Sequence, residues 1–197
     1  MRVILASTSR YRRELVSRLG VAVECVAPDY DEEPDKLAHT HLPLGELAVL
    51  LAHGKARAVA ELHPDALVIG SDQIAEVDGQ RLSKPGTPEK ARAQLARLQG
   101  REHRLLTAVA VHHGASGRAE AALDVHAMAM RPLTDAQIAR YVDADRALDC
   151  AGSYRVESLG VALFERMSGD DFTAVIGLPL TKTVALLSRL GLDVLGG

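Results

Sequence analysis

The 197 residues carry a net charge of −3, with 47% hydrophobic and 25% charged side chains. That balance suits one sizeable globular domain, or two small lobes, and offers no general basic surface for wrapping duplex nucleic acid. Aromatics make up only 3%, with no Trp, which argues against single-strand binding on stacked platforms.

The first predicted element is a short buried strand at Val3–Ala6, followed by Ser9 as N-cap of a helix from about Arg10 to Leu19 that stops at Gly20. Val21–Val26 reads as a second strand, and the acidic, proline-marked stretch APDYDEEPDKLAH as a loop. Leu44–Leu62 has helical spacing through Leu47, Leu51 and Val59. Ala66–Ile69 reads as a buried strand running into Gly70-Ser71-Asp72-Gln73, with a further strand through Val77 and a hairpin turn at Asp78-Gly79. Thr87-Pro88-Glu89 starts a helix that closes at Gly100. Two long strands, about His103–His112 and Arg118–Met130, are joined by GASG; Thr134 caps a helix through Tyr141, and a last helix spans about Pro179–Leu190 before Gly191. The pattern is α/β with mixed strand pairing and no repeats or obvious linker.

Cys25 and Cys150 form no CxxC pair and read as reduced structural thiols. No apolar run reaches membrane or signal-peptide length, so the expectation is a soluble, cytoplasmic protein with no nucleic-acid or membrane partner.

Chemistry gathers first in LASTSRYRREL. A strand that turns into a helix leaves N–H groups unpaired at a partly positive end, which suits phosphate. Ser7, Thr8 and Ser9 add hydroxyls, and Arg12 and Arg13 add forked cations. Arg12 lies three, four and seven residues before Leu15, Val16 and Leu19, so it falls on the apolar face. A guanidinium there needs a partner; a bound polyphosphate and snorkelling to water both answer, and spacing does not choose between them. GxxxxGK[ST], GxGxxG and GxSxG are all absent. Asp72 follows an apolar strand, where a carboxylate can hold a divalent metal, deprotonate water, or simply make an Asx turn. Asp29, Asp31, Glu32 and Glu33 form an acidic loop that suits Mg²⁺ or is merely solvated. With five lysines against eighteen arginines, Lys55 and Lys84 hint at point-charge roles. His39, His41, His112 and His113 read as surface residues, with no metal-binding spacing.

Together these pieces resemble the Maf family of nucleotide pyrophosphatases, within the wider inosine-triphosphatase-like group. The similarity runs in order through LASTSRYRREL, Asp31-Glu32, Gly54-Lys55-Ala56, IGSDQ at 69–73, Lys84-Pro85, CAGSYRVESLG at 150–160 and GLPL at 177–180. The resemblance implies an elongated mixed sheet flanked by helices, with a deep nucleotide cleft. It implies cleavage of a nucleoside triphosphate between the α and β phosphorus atoms with a divalent cation, Mg²⁺ or Mn²⁺. By motif match, Asp72 is the catalytic proton acceptor and, with Glu32, a metal ligand; Ser7, Ser9, Arg12, Arg13, Lys55 and Lys84 hold phosphates. A homodimer is also implied.

One branch of that family acts on dTTP and UTP and carries Arg, Thr and Gln at three positions occupied here by Tyr11, Gln73 and Glu157. The present set resembles the branch that hydrolyses 7-methyl-GTP. The chemistry agrees: a carboxylate accepts from the guanine N1–H and 2-amino edge, and an aromatic ring stacks on the cationic methylated base. The alternatives are a dTTP/UTP pyrophosphatase, a nucleotide-binding regulator of septum formation without significant turnover, and a non-enzymatic interaction module. Arg10 and Ser83 depart from the usual proline and glycine.

Overall fold

The computed structural model describes residues 1–196. Its frame begins with β1 (Arg2–Ala6), which is buried from Val3 onward and pairs in parallel with β2 (Val23–Val26) and β3 (Ala66–Val77). Val3 and Leu5 face one way and meet Leu67, Ile69, Val109 and Val111, with Leu15 and Val16 from helix α1 (Arg10–Ser17) and Leu186, Leu187 and Leu190 at the C-terminal end. Ile4, pointing the other way, is fully buried as well. A strand covered on both faces must read as a continuous apolar run, which explains VILA.

The remaining strands are β4 (Gln80–Leu82), β5 (Glu102–His113), β6 (Arg118–Met130) and β7 (Phe164–Ser168). They complete a mixed seven-stranded sheet in the order β2-β1-β3-β5-β6-β7, with β4 paired antiparallel to β3 and β7 antiparallel to β6. The other helices are α2 (Glu33–Ala38), α3 (Leu44–Ala60), α4 (Pro88–Leu98), α5 (Asp135–Asp145), α6 (Phe172–Ile176) and α7 (Leu180–Arg189). The α/β class with mixed pairing is therefore as expected. Ser9 and Thr87 cap α1 and α4, and Thr134 forms a full capping box with Gln137 on α5. No described helix is long and apolar enough to cross a membrane.

The chain packs as two compact units. The first comprises residues 1–73, 107–124 and 171 onward; the second comprises 74–106 and 125–170. Strands β3, β5 and β6 each contribute residues to both.

Several expectations need correction. The acidic stretch is not all loop: Glu33–Ala38 is helical, with Pro34 in the first turn where its missing N–H costs nothing. The second strand starts at Val23, because Val21 and Ala22 complete the turn after Gly20. The helix capped by Thr134 runs past Tyr141 to Asp145. Most consequentially, β3 does not end at Ile69. It continues through Gly70-Ser71-Asp72-Gln73, so Asp72 lies within a strand rather than just beyond one. The polar residues stay in the strand because they find partners. Ser71 Oγ donates to the carbonyls of Ala108 (2.8 Å) and Gly177 (3.0 Å), and Gln73 Nε2 donates to Thr107 Oγ1 (3.0 Å). Periodicity gave no sign of β7 or α6.

Gly70 positions α3. A Cβ built on it would sit 2.3 Å from the Ala52 carbonyl oxygen and 2.7 Å from the Ala56 nitrogen, both helix backbone. Only a residue with no side chain lets α3 lie this close to β3. Gly70→Ala should push the helix outward and destabilise the protein by roughly 1–3 kcal/mol, as overpacking does. A lower urea midpoint with an unchanged slope checks this, and an unchanged midpoint refutes it.

Candidate functional site

In the first unit, α3 brings Lys55 beside Asp72. Its ammonium lies 2.7 Å from Asp72 Oδ1 and 2.8 Å from Glu32 Oε1. Lys55 and Asp72 are only 9% and 8% exposed, so this is a desolvated charge cluster rather than a surface pair. Glu32 reaches it because Tyr30 lies on α3 at Gly54: a Cβ there would sit 2.3 Å from Tyr30 Cζ. The Tyr30 hydroxyl is anchored to Asp35 on α2. The pair Gly54-Lys55 therefore has two jobs, since the glycine admits the loop and the lysine receives its carboxylate.

Lys36, one turn along α2, also binds Glu32 at 2.9 Å. Burial alone would raise the Glu32 pKa, but Lys55 and Lys36 together outweigh it and hold the carboxyl down to about 2. Nothing in the sequence pattern singled out Lys36.

Arg12 finds its partner in protein rather than in water. Its Nε donates to the Gly177 carbonyl at 2.9 Å, the same oxygen that accepts from Ser71. Desolvation lowers the Arg12 pKa, and the Asp72 and Glu32 charges oppose that shift. Gly177, in the GLPL motif, has φ 129, a conformation suited to glycine. Asp171 fixes this corner: Oδ1 accepts from the Thr173 N–H (2.9 Å) and Oδ2 from the Thr181 N–H (2.7 Å). Burial would raise the Asp171 pKa, but hydrogen bonds from the Thr173 and Thr181 hydroxyls, reinforced by those N–H groups, override it and lower it.

The hydroxyls of the opening stretch shape the turn. Ser7 Oγ accepts from the Ser9 N–H at 3.1 Å, and Ser9 Oγ accepts from the Arg12 N–H at 3.5 Å. Each retains its own hydroxyl proton for donation. Arg13 is exposed one residue further on. The Tyr11 ring carries the Arg10 guanidinium 4.7 Å from its centroid, and Arg10 Nη2 donates to the Tyr11 hydroxyl at 2.6 Å. That is the structural consequence of arginine at position 10. Gln73 spends its amide N–H₂ on Thr107 Oγ1 and the carbonyls of Ala174 and Val175. The structure thus brings Ser7, Ser9, Arg12, Glu32, Lys55, Asp72 and Gln73 into the framework of one unit.

Lys84 and Glu157 belong to the second unit, and both are exposed. Gln94 on α4 links their surroundings: its Nε2 donates to the Ser83 carbonyl at 2.7 Å, and its Oε1 accepts from Ser153 Oγ at 2.6 Å. The Gly86 N–H donates to the Leu148 carbonyl at 3.0 Å. Ser83, in place of the usual glycine, is accommodated through its backbone. Gln94 has no sequence signature, being one polar residue on a polar helix.

His112 corrects the surface assignment. It is partly buried, 2.8 Å from His53, and burial together with His53 and Arg57 brings its pKa down to about 4. Both cysteines are free thiols.

Glu32 and Asp72 fit a divalent cation by donor chemistry. Both offer carboxylate oxygens, the donors that Mg²⁺ and Mn²⁺ prefer. Among the described residues no group of three or more His, Cys, Asp or Glu side chains could hold a metal. Phosphate oxygens are among the further ligands that such a cation takes.

The Maf family, described as Maf-like protein, matches residues 2–190. The chain belongs to the Maf family. It is 48% identical over 197 residues to a protein of Xanthomonas campestris pv. campestris named 7-methyl-GTP pyrophosphatase, covering 98% of each chain. It is 47% identical over 196 residues to one of the same name from Bordetella pertussis, covering 100% of this chain and 96% of that one. A third, from Xanthomonas oryzae pv. oryzae, is 47% identical over 194 residues, covering 96% and 97%.

The depressed Glu32 pKa fixes a sign. A carboxyl at about 2 when folded, against an ordinary 4.5, adds stability that is fully present above 4.5 and is lost as pH falls toward 2. Glu32→Gln should therefore be less stable than wild type at pH 6, and the gap should narrow steadily as pH falls from 4.5 toward 2. Urea midpoints across that range measure it, and a gap that does not narrow with acidification refutes it.

Proposed function

We propose that this Maf protein hydrolyses 7-methyl-GTP to 7-methyl-GMP and pyrophosphate. The carrying observation is the buried Lys55 ammonium shared between Glu32 and Asp72; the names of the full-length relatives support the substrate. A desolvated Lys–carboxylate cluster contributes little to stability for its cost. It is useful where a polyanion arrives, because the lysine can then exchange a carboxylate for a phosphate.

In this reading Asp72 orients the attacking water and accepts its proton as the water oxygen bonds to the α-phosphorus. The bond from that phosphorus to the bridging oxygen breaks, and pyrophosphate leaves with the electron pair. Lys55 and Arg12 neutralise charge building on the phosphates, with Arg13 and Lys84 as further cations and the Ser7 and Ser9 hydroxyls as donors. Glu32 and Asp72 are the residues that would hold Mg²⁺ or Mn²⁺, whose contribution when bound is to polarise phosphate oxygens. Tyr11 stacks on the methylated base while Glu157 accepts from its N1–H and 2-amino group. Gln73, hydrogen-bonded to the Ala174 and Val175 carbonyls, sets α6 beside the site. The enzyme works in the cytoplasm, clearing a modified nucleotide, and a homodimer is the assembly we infer.

The test is pyrophosphate release from 7-methyl-GTP, GTP, dTTP, UTP, CTP and ATP with Mg²⁺ or Mn²⁺. Preference for 7-methyl-GTP is expected. Preference for UTP or dTTP would overturn the base assignment and leave the phosphate end standing. Asp72→Asn should lower kcat by about 10²–10⁴, the usual scale for a general base, while nucleotide still binds. Full turnover in that variant would remove Asp72 from the chemistry, and no release from any nucleotide would leave a binding protein.

A further inference from the structure

Glu157 sits in a turn at 156–158 that belongs to no helix or strand. A side chain that must meet a planar base edge cannot be left on a mobile turn, because misplacement by an ångström is costly. In the second unit, one buried carboxylate fastens the chain on both sides of this residue. Asp145, the last residue of α5, is 8% exposed. Ser158 Oγ lies 2.8 Å from both of its carboxylate oxygens. Arg155 Nη2 donates to Asp145 Oδ1 at 2.7 Å and also to the Asp145 backbone carbonyl. Tyr141 closes the ring: its hydroxyl donates to Asp145 Oδ2 at 2.7 Å and accepts the Arg155 N–H at 3.1 Å.

The carboxylate is poorly placed for simple helix stability. A negative charge at a helix C-terminus opposes the macrodipole, and a buried ion pair seldom outperforms an apolar substitute. What the arrangement does achieve is a single conformation for residues 155–158. Gly160 adds to it by close approach, since a Cβ there would lie 2.1 Å from the Arg155 carbonyl oxygen.

We propose that Asp145 is a positioning residue for base selection, holding Arg155 and Ser158 so that Glu157 between them presents its carboxylate in one place. The proposal rests on Glu157 reading the base. It acts on recognition and not on phosphate chemistry.

The experiment compares Asp145→Asn, Ser158→Ala and Glu157→Gln, singly and in pairs, as kcat/KM for 7-methyl-GTP and for UTP. Asp145→Asn should lower the preference for 7-methyl-GTP by about tenfold, through KM, with UTP hydrolysis little changed. Ser158→Ala, the milder change, should do the same to a smaller degree and serves if Asp145→Asn does not fold. Neither should lower the preference further in the Glu157→Gln background, because residues acting through one another are not additive. Amide hydrogen exchange at residues 155–158 should quicken in Ser158→Ala without any nucleotide present. Equal loss for both nucleotides, additive losses, or unchanged exchange would overturn the proposal while Glu157→Gln still erodes the preference. If Glu157→Gln leaves the preference intact, the base-reading assignment itself fails and takes this proposal with it.

Discussion

The structure turns on one buried ammonium. Lys55 could not lie in the interior alone, since an unpaired charge there is too costly. Two carboxylates meet it, and each comes from a different part of the chain: Asp72 from within β3, and Glu32 from the loop before α2. The demand for close approach then passes outward. The helix must lie against the strand, which makes position 70 glycine, and the loop must lie against the helix, which makes position 54 glycine. A three-residue charge cluster thus dictates the packing of a helix, a strand and a loop. Its protein charges sum to one cation against two anions, with Lys36 as a second cation on the rim. Such a cluster is balanced at rest yet able to accept a cation as well as an anion.

A second constraint fixes the guanidinium beside it. The Gly177 carbonyl accepts from Arg12 and Ser71 at once, so α1 and β3 are both tied to the GLPL corner. That corner is held in turn by Asp171, which takes up the N–H groups of Thr173 and Thr181. Polar groups in a buried strand ordinarily argue against the strand. Here each has a named partner, acceptors for Ser71 and Gln73 and the Lys55 ammonium for Asp72, so β3 carries all three through its middle without breaking the ladder.

This is also where the sequence was least legible. Apolar runs and caps located most helices and strands, because Ser9, Thr87 and Thr134 are local signals acting on neighbouring residues. Ser9, Arg12, Glu32, Lys55 and Asp72, quoted from separate motifs, all fall in the first unit. Reading β3 as broken at Gly70 failed because the partners that keep it whole, the Ala108, Gly177 and Ala174 carbonyls, are distant in sequence. Lys36, Gln94 and Asp145 were invisible for the same reason. Each is an ordinary residue in its own segment and acquires meaning only from what the fold sets against it.

The choice of cation follows the work required. The chain has eighteen arginines and five lysines, yet the cluster at Asp72 uses lysine and the clamp at Asp145 uses arginine. An ammonium is a compact charge with three donors and no preferred plane, so it can share two carboxylates and move to another anion. A guanidinium is planar and rigid, which suits Arg155 in aiming Nη2 at both the side chain and the backbone carbonyl of Asp145. In the first setting a partner must be exchangeable; in the second it must not move. Exchanging the two residue types would keep the formal charge and lose both properties.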